Sequence, residues 1–262
     1  MVIKKPFHRI FRPVNPVLTN AGYSSGAYIS HKEYCQSGHS YVRAFLLIMK
    51  DLQNLFEYIE PSQESMDTYS YKIHSLFMRI CIEIEANFKA ILNENIYTPK
   101  VNRFGQQVFN ISVYKLVNYS HHLSSYKVGL SQWAGKELLT FEPFKNWNIQ
   151  NGKVEWYQAY NKSKHDRQDN FRLANMRNLL NAAAGLLVLI SSQFRREDFS
   201  PSYSRLISGG SFELGMEPSL GELFLIKFPN DWTEEEIYDF DWSELKDENE
   251  KFQKFNYDEL SV

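Results

Sequence analysis

The sequence predicts a mainly α-helical protein: an antiparallel helical bundle carrying a small β-containing C-terminal extension. Three observations point there. Apolar residues recur every three or four positions along three long stretches, the period of a helix with one buried face. The last of these stretches is apolar nearly all round, as in a helix enclosed by others. After Pro201 the period gives way to glycines between short apolar runs, the texture of strands and turns.

Residues 1–40 read as an irregular N-terminal segment. Pro6, Pro13 and Pro16 interrupt regular structure, yet Phe7, Ile10, Phe11 and Val14 give it apolar patches with which to wrap the body. Residues 41–200 read as the helical body. Val42, Phe45, Leu46, Met49, Leu52, Leu55, Phe56 and Ile59 form one face of a helix that ends before Pro61. Ile73, Leu76, Phe77, Ile80, Ile84, Phe88 and Ile91 repeat the pattern in a longer helix, stopped before Pro99. A third helix is expected over 108–127 and a short one over 131–140. Pro143 and the stretch NWNIQNG (146–152) read as a loop. A helix is expected from Lys153 to about Gln168, anchored by Trp156, Tyr157 and Tyr160. The central helix follows, from Phe171 through Leu179, Leu186 and Ile190 to Phe194.

Residues 201–262 read as the extension. GELFLIKFP (221–229) is a strand, with RLISGG (205–210) or SFELGM (211–216) as its hairpin partner. Thr233 with Glu236 fits the cap of a short helix. The pairs Asp231-Trp232 and Asp241-Trp242 recur, but two copies do not make a repeat.

Composition excludes several classes. Of 262 residues, 43% are hydrophobic and only 12 are Gly and 9 Pro, so the chain has material for a core and is neither collagen-like nor low-complexity. Its longest apolar run, Ala182–Ile190, falls well short of the roughly 20 residues a membrane helix needs. MVIKKPFHRIF lacks the apolar stretch of a signal peptide, and Cys35 and Cys81 form neither a disulfide framework nor a metal motif; a cytoplasmic location is expected. No membrane partner, metal or cofactor is implied. His121-His122 has no further ligand at zinc-site spacing. Phosphate-loop, dinucleotide-fold and nucleophile-elbow motifs are all absent.

The net charge of -2 conceals an asymmetry. Residues 231–262 hold twelve acidic groups against three lysines, a net of −9. The other 230 residues hold 26 basic against 19 acidic groups, a net of +7. A basic body beside an acidic segment fits an anionic partner, and it also fits a solubilising tail. On the first reading, the acidic segment is expected to cover the basic cluster described next.

That cluster is WYQAYNKSKHDRQDNFR, residues 156–172. On one continuous helix Asn161, Lys164, His165 and Gln168 share a face, and Asp169 falls four residues after His165, where it could orient the imidazole. A histidine among cations suits phosphodiester chemistry: cations hold phosphate oxygens while the ring moves a proton. The competing reading is structural. His165 would then be buried, with both ring nitrogens tying helices together, and Glu83 would form an ion pair with the Lys164/Arg167 region.

YNKSKHDR, followed by FRLANMRNLLNAAAGLLVLI, resembles the HEPN superfamily of small α-helical bundles, in particular HEPN-like proteins bearing a YNxxKHxR segment. RICIEIEANFKAILNEN (79–95) resembles the family's acidic helix, with Glu83 and Glu85. The resemblance covers roughly residues 40–196 and is sharpest over Trp156–Ile190. It implies association with RNA, in the manner of metal-independent endoribonucleases of defence or toxin–antitoxin systems, and a homodimer in which two motifs face one cleft. Residue by residue, His165 matches the family's histidine and Asn161 its polar residue. The family's arginine is missing, since Ala159 and Tyr160 stand where it would be. If the chain is catalytic, His165, Asn161 and Arg167 carry the reaction, and Lys164, Lys162 and Arg172 hold phosphate. The alternative is a non-enzymatic interaction protein, in which the KHDR face builds a dimer or protein-partner interface.

Overall fold

The computed structural model describes residues 2–199 and 215–260. Among these the protein is mostly helical, with one small antiparallel sheet. α2 spans Gly38–Phe56 and buries Val42, Phe45, Ile48, Met49, Leu52 and Leu55 on one face. α3 spans Tyr71–Glu94, and the Ser70 hydroxyl caps it by accepting from the Ile73 amide at 3.1 Å. α8 spans Met176–Phe194 and is capped by Asn175. Every residue of α8 from Ala182 to Phe194 is buried, because α2, α3 and α6 (Glu155–His165) all pack against it. The all-round apolar character read from the sequence thus marks the central helix. α6 comes very near α8 at Gly185, where a Cβ would stand 3.1 Å from the Trp156 ring. That ring is fixed by its own Nε1 bond to the Pro143 carbonyl at 3.1 Å.

Four helix expectations are corrected. The central helix, expected from Phe171, begins at Met176, and Phe171–Leu173 form a 3-10 turn instead. Residues 108–127 are not one helix. They form α4 (Ile111–Tyr114), α5 (Val117–His121), a 3-10 turn at Leu123–Ser125, and then the start of strand β1 (Lys127–Leu130). The β-branched Ile111, Val113 and Val117 favour helix weakly. His122, in the left-handed region at φ 50°, ends α5, and the Asn118 side chain accepts from the Ser124 amide to turn the chain. Residues 131–140 form no helix but a loop leading into β2 (Leu139–Phe141), which pairs antiparallel with β1. The helix expected to run to Gln168 stops at His165. Asp166 is non-helical and spends its carboxylate capping α7 (Arg167–Asn170).

The strand expected over 221–229 is β4 (Phe224–Lys227). Its main partner is not a neighbouring hairpin arm but β1, nearly a hundred residues earlier in the chain, with Lys127 opposite Lys227 and Leu130 opposite Phe224. Its other edge takes the two-residue β3 (Glu217–Pro218), giving the order β2-β1-β4-β3. RLISGG lies outside the described residues, as does SFELGM apart from Gly215 and Met216. The extension therefore completes a sheet begun in the body. Thr233 and Glu236 close a turn rather than open a helix. The short helix of this region is α9 (Trp242–Leu245), capped by the Asp241 carboxylate.

The N-terminal segment contains one helix, α1 (Ala21–Ala27), and otherwise runs without regular helix or strand. Its partner is the acidic segment. Bridges join Ile3 and Val14 to Tyr238 and Phe7 to Gln253. Tyr238, Phe240, Trp242, Leu245 and Tyr257 are buried in the same core. Lys4 pairs with Asp239, Lys5 with Glu248 and Lys251 with Glu33. His122 stacks on Trp232 at 3.9 Å while its two ring nitrogens reach Asp231 and Glu236. The acidic segment is therefore neither a free tail nor a cover for the KHDR cluster. Among the described residues, no hydrogen bond, ion pair or ring contact links 231–260 to 155–177.

One side chain joins most of these pieces. Arg9 is fully buried, with its backbone at φ 59°. Its guanidinium donates to Glu94 at the end of α3 (2.6 Å), to Gln193 at the end of α8 (2.9 Å) and to the Gln36 carbonyl just before α2 (2.5 Å). Its own carbonyl accepts from His121 Nε2 at 2.9 Å. His121 Nδ1 in turn meets the Ser120 hydroxyl, which meets the Tyr257 hydroxyl, both at 2.7 Å.

Replacing Arg9 by Met strands Glu94 and the Gln193 amide in a largely dry site. The expected loss is about 3–5 kcal/mol in equilibrium denaturation. A loss below about 1 kcal/mol would show that the hub is dispensable. Burial, above all, pushes the His121 pKa down from 6.5 to about 3. Between those values the unfolded chain binds the extra proton and the folded one does not. Stability should therefore fall as pH drops from about 6.5 towards about 3, by up to ~1.4 kcal/mol per pH unit from this ring. A His121→Asn variant, lower in absolute stability, should show a flatter pH slope; an identical slope contradicts the assignment.

Candidate functional site

The break after His165 decides the geometry of the basic cluster. α6 ends there, Asp166 turns the chain, and α7 leads into a 3-10 turn at Phe171–Leu173. Ser163, buried at this corner, donates to the Asn170 carbonyl at 3.1 Å and locks the turn. The start of α3 lies alongside. Met176 and Arg177 donate their amides to the Thr68 and Met66 carbonyls, both at 2.9 Å, and Tyr69 bridges to Asn175. Those backbone bonds bring residues 66–74 against residues 163–175.

His165, Lys162, Lys164, Arg167 and Arg172 are all exposed, and Asn161 is half-buried. The buried, doubly bonded histidine foreseen at position 165 is found at position 121 instead. His165 makes no side-chain hydrogen bond among the described residues, and the bond to Asp169 does not form. Asp169 and Gln168 lie beyond the helix break, so the face expected from a continuous helix does not exist as drawn. Arg167 and Arg172 are brought together, because each guanidinium lies against a tyrosine: Arg167 5.8 Å from the Tyr71 ring centre and Arg172 5.7 Å from that of Tyr69. Both tyrosines contact Phe171, at 4.9 and 5.6 Å between ring centres. Asn161 and Lys162 make no described contact with this group.

Lys164 turns to a different neighbourhood. Its ammonium donates to the Tyr160 hydroxyl at 3.1 Å and lies 5.0 Å from that ring's centre. The carboxylate facing α6 is Glu85, not Glu83. Glu85 accepts from the Tyr157 hydroxyl at 2.9 Å. Burial, then the charge of Glu85, pushes the Tyr157 and Tyr160 phenols far up, so both remain neutral donors. Glu83 forms no ion pair with Lys164 or Arg167, and burial raises its pKa.

Electrostatically the stretch 162–172 carries four permanent cations against Asp166 and Asp169. Among the described residues none of Lys162, Lys164, His165, Arg167 or Arg172 forms an ion pair, so their charges face solvent unneutralised by a contacting carboxylate. His74 lies against Phe171 with its rings 5.6 Å apart. Burial, then the charge of Arg167, lowers its pKa, so the ring is neutral at pH 7. The arrangement can hold phosphates at exposed cations and present aromatic rings beside them. Tyr69, Tyr71 and His74 are the functional candidates that sequence reasoning missed. They lie about ninety residues before Arg167, and nothing in DTYSYKIH marks them as neighbours of the KHDR segment.

Other features carry less chemistry. A cleft of about 700 Å³ opens between residues 111–119 and 147–158, lined by Lys115, Trp147, Ile149 and Gln158. It gathers no carboxylate, histidine or cysteine. Among the described residues no group of His, Cys, Asp and Glu could hold a metal ion, and no helix is long and apolar enough to cross a membrane. No family model, curated protein or solved structure matches the chain.

The corner itself is testable. Asp166→Ala removes the cap of α7 and should cost about 1 kcal/mol of stability by thermal or chemical denaturation. It should also raise the amide exchange of residues 167–170 relative to α8. Unchanged exchange there would mean the carboxylate does not hold the turn.

Proposed function

We propose that this protein is a HEPN-like helical bundle that associates with RNA through the face formed by the end of α6, α7 and the turn at 171–173. The observation that carries the reading is the set of exposed cations without ion pairs. Lys162, Lys164, Arg167 and Arg172, with His165 among them, project from a corner that Asp166 and Ser163 hold in place. Unpaired surface cations attract a polyanion and release its counterions on binding. The enclosure of α8 by α2, α3 and α6 supports the bundle architecture of the resembled family. Docking of the acidic segment on the N-terminal segment leaves the basic face open to a ligand.

Cleavage is the second reading, favoured by the open ring of His165 between Lys164 and Arg167. Binding without cleavage is favoured over it by two observations. Among the described residues no side chain hydrogen-bonds the His165 ring, and the positions where the family's arginine would stand hold Ala159 and Tyr160, both buried and uncharged. The deciding experiment uses the full chain with labelled RNA over a range of salt concentrations, in the presence of chelator. Wild type should bind with a salt-dependent affinity. Arg167→Ala and Arg172→Ala should each weaken binding and lower the log–log salt slope by about 1. Intact RNA at the end of the assay supports pure binding, whereas cleavage lost in His165→Ala supports the second reading. Salt-independent binding, or slopes unchanged by both arginine variants, would contradict the assignment of this face.

A further inference from the structure

The same face carries large aromatic rings in the wrong place for a core. Tyr71 is the first residue of α3 and is 71% exposed; Tyr69, just before the Ser70 cap, is 41% exposed. Buried partners explain most aromatic side chains in this protein, Tyr157 and Tyr160 among them. Tyr71 has no such explanation. It is supported from behind by Phe171, whose ring is inclined 41° to it, and Phe171 is backed by the neutral His74 ring. The Arg167 guanidinium lies over the Tyr71 ring and that of Arg172 over the Tyr69 ring, 5.8 and 5.7 Å from the ring centres.

We infer that the aromatic platform of Tyr71, Tyr69 and Phe171 is a stacking site for an unpaired nucleobase, beside the cations that hold the strand's phosphates. The inference rests on the proposed RNA association and assigns it a second, uncharged component. Three features support it. An exposed ring offers a π-face that any base can cover, and burying that face removes apolar area from water. The backbone that carries the ring is held in place: the Ser70 cap fixes the start of α3, and the 68–176 and 66–177 amide bonds fix the preceding segment. The guanidiniums lie within 6 Å of the ring centres, close enough for one nucleotide to meet a ring with its base and a cation with its phosphate. A base inside a duplex is already stacked on both faces and cannot reach the platform, which makes an unpaired base the ligand.

The test uses the full chain and three labelled probes of equal length: single-stranded RNA, the same phosphate backbone made abasic, and duplex RNA. Wild type should prefer the single strand over the abasic strand by about 5- to 100-fold. Tyr71→Ala should lose most of that preference with an unchanged salt slope, and Tyr71→Phe should retain it. Because Tyr71 is exposed, melting of Tyr71→Ala should follow wild type, which separates a lost contact from a lost fold. Equal binding of single-stranded and abasic probes by wild type, or full preference in Tyr71→Ala, would overturn the stacking site. The arginine variants would still report on phosphate binding in that case. Failure of all three probes to bind would overturn both the stacking site and the RNA association, as expected if the face instead holds an acidic protein segment.

Discussion

The buried guanidinium of Arg9 is the contact on which the arrangement of this chain depends. A charge taken fully out of water is tolerable only when its donors are paired, and here each partner comes from a different part of the fold. Glu94 closes α3, Gln193 closes α8, and the Gln36 carbonyl leads into α2. Gln193 passes the connection on to Asn87 at 3.0 Å. Through its own carbonyl Arg9 reaches His121 and, by way of Ser120, Tyr257 near the C-terminus. The N-terminal segment is therefore a structural member of the core, not a wrapping around it.

That constraint also settles where the acidic segment goes. With Arg9 and Arg12 turned inward, the N-terminal segment presents lysines and carbonyls to residues 231–260. Asp239 and Glu248 pair there with Lys4 and Lys5, while Asp231 and Glu236 meet His122 after α5. Arg12 lies 5.2 Å from the Trp232 ring centre and donates to the Glu236 carbonyl, tightening the same seam. The charge division visible in the sequence is thus partly cancelled within the fold, away from the KHDR corner. Lys162, Lys164, Arg167 and Arg172, close together in sequence and without ion pairs among the described residues, give the proposed RNA-binding face its local charge although the whole chain is nearly neutral.

Long periodic helices were legible because burial on one face repeats with the helical turn. α2, α3 and α8 lie close to where the periods Val42–Ile59, Ile73–Leu92 and Phe171–Phe194 place them, although α2 ends at Phe56 and α8 begins only at Met176. What depends on side-chain bonding at single residues was not legible. Asp166 caps instead of continuing a helix, and His122 takes a left-handed turn; neither leaves a periodic trace. The sheet was hidden because β1 and β4 are far apart in sequence and each is only four residues long. At the site, the cationic half could be read from KSKHDR, but its aromatic half could not. Tyr69 and Tyr71 reach Phe171 only through long-range pairing of residues 66–69 with the start of α8.

The central claim is that one corner of the molecule, and not the cleft between residues 111–119 and 147–158, meets the nucleic acid. Photocrosslinking of single-stranded RNA to the full chain, with the attachment residues located by mass spectrometry, tests it most directly. The account predicts adducts at Tyr69, Tyr71 or Phe171 and on the adjoining peptide 162–172. Adducts confined to the cleft, at Tyr119 or Trp147, or to the acidic seam around Trp232 would contradict it.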